Sequence, residues 1–321
     1  MKKKNVYKWM SAIVVLTIAA FAAIYFLNMQ SVVKKAPNLV NPDAPPTFSQ
    51  LIYGDFDNPM DKPMDVAKIG EFLYVSDTNN KRVQVFDTAG TQVFKFGKEG
   101  EGKGEFKFPY GIAGDKEGNV YVADLYNGKI SIFNQKGKFI RYFDDKKKVL
   151  KSPAGIRIFD EKLYATDVQN NKVYVFKLTG EELLEISSVV NKDDKFKAPN
   201  AIAFDKKTNE LFVSDSGNQR ILAFDEKGKY IRTINGSKDG KGSSVFVNPR
   251  GIGVDSRGIL YVVNNLSHTI YGFNEKGEQI FTFGSMGDQN EQFYLPNGLY
   301  VDDNDRVYIT DTLNQRVALY Y

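Results

Sequence analysis

The feature that most constrains this chain is a repeat. A proline recurs at Pro63, Pro109, Pro153, Pro199, Pro249 and Pro296, at spacings of 46, 44, 46, 50 and 47 residues, and Gly stands two positions later in four of the six copies (Gly111, Gly155, Gly251, Gly298). About eleven to fifteen residues on comes an aromatic-x-small-Asp segment: Tyr74–Asp77, Tyr121–Asp124, Tyr164–Asp167, Phe212–Asp215 and Tyr308–Asp311, with Tyr261–Asn264 as the variant fifth copy. An Asn follows at the third position past the Asp and a basic residue at the fifth, as in Asn80 and Arg82. A third alternating segment (Val83–Phe86), a turn ending in Gly (Gly90, Gly137, Gly180, Gly228, Gly277) and a fourth segment (Val93–Phe96) complete the unit. Period-2 alternation between Gly- and Asn-rich turns predicts a four-stranded antiparallel meander per unit.

Such a meander has two apolar faces and cannot bury both alone, so neighbouring units must stack around an axis. The sixth unit stops at Tyr321, in its third strand. Its fourth strand is expected at the other end of the repeats, where Leu51-Ile52-Tyr53-Gly54 matches Phe94-Lys95-Phe96-Gly97. Residues 48–54 would then pair with about 315–321 and remove two exposed strand edges. The expected fold is all-β, a six-bladed β-propeller of four-stranded antiparallel blades closed by the N-terminal strand, over residues 48–321.

Six units built on Pro-x-Gly, Tyr-Val-x-Asp and Asn-x-Arg-Val, with departures in single copies, resemble the NHL repeat family across nearly the whole of residues 48–321. The resemblance implies the propeller strongly and the function weakly. Similar propellers serve as ligand sensors, protein and RNA scaffolds, and enzymes.

Ahead of the repeats, no charged residue occurs from Trp9 to Val33, and Met10–Leu27 is almost wholly apolar. About 20 such residues span a bilayer as a helix. Residues 1–8 therefore read as a cytoplasmic tail held by Lys2, Lys3, Lys4 and Lys8, residues 9–29 as a transmembrane signal-anchor and residues 30–47 as a Pro-rich stalk. This places the propeller outside a cell membrane on a single-pass anchor. The alternative is cleavage after the small-x-small site Ala20-Phe21-Ala22, which exports the same propeller as a secreted protein. Residues 1–35 hold six Lys and no acid, which leaves 37 basic against 39 acidic residues in the remainder, a charge of −2. The basicity belongs to the anchor, and the propeller has no electrostatic reason to seek nucleic acid. With no Cys in the chain, disulfides and thiolate sites are excluded.

The first and second strands of each unit run antiparallel, so the residues after each Pro and the turns after each Asp converge on one face. That face is the default binding surface. Its candidate residues are Asp65, Tyr110, Tyr126, Arg157, Asn200, Arg250, His268, Asn297 and Tyr300. Asp65 replaces the repeat Gly, and Arg157 and Tyr300 stand where other units carry Ala67, Ala113, Ala203 and Gly253. Asp65, Arg157, Arg250 and Tyr300 together are expected to form a polar channel mouth. The recurring acids are read as structural, each capping turn N–H groups and pairing with the basic residue five positions on. The pairs are Asp77 with Arg82, Asp124 with Lys129, Asp167 with Lys172, Asp215 with Arg220 and Asp311 with Arg316. In the fifth unit both members change together, to Asn264 and Thr269.

One histidine cannot build a His-based zinc site, and Gly100-x-Gly102-x-Gly104 has no following helix to make a phosphate loop. No catalytic residue, metal site or cofactor is assigned. The residues favour a membrane-tethered, non-catalytic scaffold or sensor for a protein, peptide or glycan. The alternative is an extracytoplasmic propeller enzyme of lyase or lactonase type with a metal on the central axis, for which Asp65 is the one axial acid.

Overall fold

A computed structural model describes residues 43–187, 189–190, 193–237 and 242–321. The expected cytoplasmic tail, the membrane-spanning helix and the stalk up to residue 42 lie outside the described residues. Among the described residues no helix is long and apolar enough to cross a membrane.

The described residues form six separate four-stranded sheets, and every pairing within them is antiparallel. Blade one begins with its innermost strand at Pro63–Ile69 and ends with its outermost at Gln92–Phe96. Blades two to five repeat this order from Pro109, Pro153, Pro199 and Pro249. Blade six takes three strands from the end of the chain (Pro296–Val301, Val307–Asp311, Arg316–Tyr320) and its outermost from Phe48–Tyr53. The register runs from Phe48 opposite Tyr320 to Tyr53 opposite Arg316, the closure expected from the repeat.

The core is divided among the blade interfaces. Among the described residues six apolar clusters occur, each formed by two neighbouring sheets. Between blades six and one, for instance, Ile52, Tyr308, Val317 and Leu319 meet Val66, Leu73, Val75 and Phe86. Each blade is thus stable only through its neighbours, which is why six units must close into a ring.

The Pro-x-Gly signature now has a steric reason. In all six blades the ladder between the first two strands is irregular from the proline to the third residue after it, since proline has no N–H to donate. There the innermost strand almost touches that of the next blade. A Cβ on Gly298 would stand 2.6 Å from the Met64 carbonyl oxygen, and one on Gly111 would collide with that of Ala154. Gly111→Ala is expected to cost about 1–3 kcal/mol by overpacking. Ala201→Gly, at the equivalent position of blade four, should cost no more than about 1 kcal/mol. Urea unfolding of the two variants checks the contrast.

Candidate functional site

The innermost strands all start at one end of the ring, with each proline opposite the Asp or Asn that ends the second strand, as in Pro63 opposite Asp77. Asp65, Arg157, Arg250 and Tyr300 are expected from the sequence to form a polar channel mouth at this proline end. Instead the axis there is closed in two layers, because polar side chains long enough to cross it find partners on the far side.

The upper layer joins blades two, four and six. The Tyr110 hydroxyl donates to Asn297 Oδ1 at 3.0 Å and accepts from Asn200 Nδ2 at 2.9 Å. All three residues are buried, at 4–5% exposure. The lower layer joins blades one, two, three and six. Arg157 forks onto Asp65, with Nη1 at 2.8 Å from Oδ2 and Nη2 at 3.2 Å from Oδ1. Nη1 also donates to the Ile156 carbonyl at 2.8 Å and Nη2 to that of Leu299 at 3.0 Å. The Asp65 carboxylate in turn accepts the Ile112 N–H at 3.1 Å. A two-pronged pair with its remaining sites filled is the geometry in which buried charges are tolerated. Burial, the largest single effect, lowers the Arg157 pKa, but the Asp65 charge, the hydrogen bonding to Asp65 and the Tyr300 phenol together outweigh it and hold the guanidinium above its ordinary value. Tyr300 lies against this pair, its ring centre 5.9 Å from the Arg157 Cζ and its hydroxyl 3.3 Å from the Lys68 carbonyl. Burial pushes its phenol up to about 12, with Arg157 opposing.

The structure therefore brings Asp65, Arg157 and Tyr300 together in one group, and Tyr110, Asn200 and Asn297 in another. Arg250, the second residue of blade five's innermost strand, is partly buried and its Nε has no hydrogen-bond partner. Tyr126 and His268 sit in the turns of blades two and five. Tyr126 is 66% exposed and packs on Phe108 at 4.6 Å between ring centres; Phe108 lies 6.3 Å from Tyr110. His268 has a left-handed backbone (φ 58°) and its Nδ1 accepts the Leu295 N–H at 3.0 Å. The equivalent residue of every other blade is left-handed too: Lys81, Gly128, Asn171, Gln219 and Gln315.

The recurring acids behave as turn caps. Asp124 accepts the N–H groups of Lys107, Phe108, Tyr126 and Asn127 at 2.8–3.2 Å, and Asp167 those of Lys151, Ser152 and Asn170 at 2.6–3.1 Å. Arg82, Arg220 and Arg316 pair with Asp77, Asp215 and Asp311 at 2.6–2.8 Å. Burial pushes the Asp215 and Asp311 carboxyls up despite these donors. The two lysine pairs need correction. Lys172 pairs with Glu185 at 2.7 Å rather than with Asp167, and Lys129 lies 4.9 Å over the Tyr142 ring rather than on Asp124. An arginine fork can reach the buried carboxylate through Nε while its other nitrogens bond loop carbonyls, whereas lysine's single charged head turns outward. In blade five, Asn264 accepts the Val247 N–H at 2.6 Å and donates to the Val245 carbonyl at 3.2 Å, so the cap persists without charge.

A latch escaped the sequence reading. The residue after the Asp or Asn bonds the proline carbonyl of the next blade: Thr78 to Pro109, Ser216 to Pro249, Asn265 to Pro296 and Thr312 to Pro63, at 2.5–2.9 Å. The signal was a polar Thr, Ser or Asn in four repeats against Leu125 and Val168 in the others.

At the far end of the axis the innermost strands of blades three to six diverge around a cavity of about 450 Å³. Arg157 and Tyr300 lie at its inner end, and Ile158, Phe159, Phe204, Val254 and Val301 line its sides. Among the described residues no three His, Cys, Asp or Glu side chains converge in a way that could hold a metal ion.

Comparison with known proteins agrees with this architecture. "Protein brain tumor" of Drosophila melanogaster is 27% identical over 191 residues, covering 59% of this chain and 14% of that protein. NHL repeat-containing protein 2 of Homo sapiens is 24% identical over 276 residues, covering 65% of this chain and 38% of its own length. The chain thus spans well under half of these relatives. A gluconolactonase structure from Xanthomonas campestris superposes with a TM-score of 0.62 at 17% identity, covering 88% of this chain and 99% of that one, a likeness of fold alone. An NHL repeat is matched at residues 293–319. Tandem matches over residues 56–144 and 145–236 take in more than half of the chain, which belongs to the family described as 6-bladed beta-propeller.

Proposed function

We propose that the protein is a non-catalytic, membrane-tethered scaffold or sensor whose proline-end face docks a protein partner outside the cell. The observation that carries this reading is the character of that face. Around the closed axis it exposes Phe56, Tyr126, Val247, Leu266, Tyr294 and Leu313, each 37–98% accessible. Exposed aromatic and aliphatic groups clustered at one end of a ring suit a protein surface. Leu266 and Val247 are neighbours within blade five through a backbone bond of 3.3 Å, Leu313 and Tyr294 within blade six at 3.0 Å, and the His268 and Tyr294 rings, 5.6 Å apart, join the turns of the two blades.

The course of the chain supports the same orientation. Phe48 starts its strand beside Tyr320, at the end opposite the prolines, and Thr47 bonds Tyr321 there. Asp43 lies beside the Arg257–Ile259 turn on that far face. A tether leading into residue 43 from a membrane would present the proline end outward. The enzymatic alternative rested on Asp65 as its acid at the proline end of the axis, and Asp65 is committed to Arg157.

The chain contains no cysteine, so single cysteines report cleanly. A membrane-impermeant maleimide should label Tyr126→Cys in intact cells; protection until lysis would overturn the extracytoplasmic placement. A photocrosslinker on Leu266→Cys should trap a discrete partner that one on Lys276→Cys does not. Leu266→Arg should weaken that partner's binding at least tenfold, as removal of an apolar anchor does. Equal trapping from both ends would refute the docking face.

A further inference from the structure

We propose that the cavity opposite the prolines is a second, independent binding site, for a small amphipathic molecule with a flat apolar body and an ammonium group. Its volume of about 450 Å³ falls within the range of small-molecule pockets. The walls are apolar, and on one side Phe159 and Phe204 stack with ring centres 3.9 Å apart. At the inner end Arg157 and Tyr300 are present, but their charge and hydroxyl are spent on Asp65, the Leu299 carbonyl and the Lys68 carbonyl. That end therefore offers planar surface without a free cation, which suits an aromatic or acyl body and gives an anionic head nothing to bind.

The rim decides the sign of the head group. Five carboxylates line the cavity, but Asp255 and Asp302 are paired with Arg257 and Arg306 at 2.6 Å; this leaves Asp205, Asp303 and Asp305 against Lys206 and Lys207, since Arg157 is already neutralised by Asp65. Lys207 is held aside by Glu275 at 2.5 Å. Lys206 reaches from the turn of blade four to Asp303 of blade six at 2.7 Å, past the intervening blade five. Both side chains are mostly exposed, at 67% and 88%, so the link is weak and readily exchanged. An incoming ammonium takes the place of Lys206 on Asp303 while its apolar body fills the space behind. An anion would meet the excess of carboxylates.

The test compares two dansyl fluorophores on the purified full chain, dansylcadaverine with a terminal amine and dansyl-6-aminohexanoate with a terminal carboxylate. The amine should bind at micromolar concentration with a blue-shifted emission and at least tenfold more tightly than the carboxylate. Asp303→Lys, at an exposed position, should weaken the amine at least tenfold and narrow or reverse the preference. Val301→Trp, which fills the cavity, should abolish binding of both without loss of the folded spectrum. Absence of binding up to millimolar probe, equal affinity for amine and carboxylate, or amine binding unchanged in Asp303→Lys would each overturn the proposal. So would unchanged binding in a folded Val301→Trp protein. None of these outcomes depends on the partner proposed for the other face.

Discussion

Deleting residues 48–54 is expected to unfold the propeller, with loss of the cooperative thermal transition, even though these residues precede the first proline of the repeat. The segment is the outermost strand of blade six, and it serves two interfaces. Ile52 is 3% exposed in the cluster joining blades six and one, while Phe48 and Leu51 pack on the one joining blades five and six. Phe48 also meets Tyr320 edge to face, with ring centres 5.7 Å apart. Truncating one buried Ile alone costs about 2–5 kcal/mol. Loss of the strand adds the ladder to Arg316–Tyr320, the Phe48–Tyr320 ring contact and the Arg316–Tyr53 hydrogen bond, against a total stability of about 5–15 kcal/mol for a typical domain. It also bares an edge strand that invites aggregation. Circular dichroism melts and size-exclusion profiles of the deletion, set beside a chain beginning at residue 43, check this. A deletion variant that melts like the longer chain would contradict the closure.

That closure was legible because both of its halves are local patterns: a sixth unit with only three strands, and a strand-like Leu51-Ile52-Tyr53-Gly54 without a blade of its own. The blades and the capping acids were legible for the same reason, since each repeats six times or nearly so. The axis was not. Whether side chains on the innermost strands leave a mouth or close it depends on which of them meet across the ring. Tyr110 and Asn297 are 187 residues apart, and Asp65 and Arg157 are 92 apart. The sequence marked Asp65, Arg157 and Tyr300 as departures from the repeat, but a departure seen one unit at a time does not disclose its partner. Lysine positions misled in another way: spacing predicts reach, and Lys129 and Lys172 turn to Tyr142 and Glu185 instead.

The axial pair supplies the sharpest energetic test. Arg157→Met should destabilise the protein by about 3–5 kcal/mol, because it leaves the Asp65 carboxylate buried and uncompensated. At about 2–4 °C per kcal/mol for a domain of this size class, the midpoint of thermal unfolding should fall by on the order of 10 °C. Asp65→Leu should cost a similar amount by stranding the guanidinium, which also loses its best acceptor. The double variant Asp65→Leu/Arg157→Met should recover most of the loss, since two apolar groups of similar volume need no partner. The Leu299 and Ile156 carbonyls would lose the Arg157 donors in both Arg157 variants, so recovery should stop short of the parent. A double variant no better than either single one would mean that the pair's contribution is the bridging of blades one, three and six rather than mutual neutralisation. Nearly neutral single variants would mean that water reaches the axis from the cavity side and solvates the stranded charge.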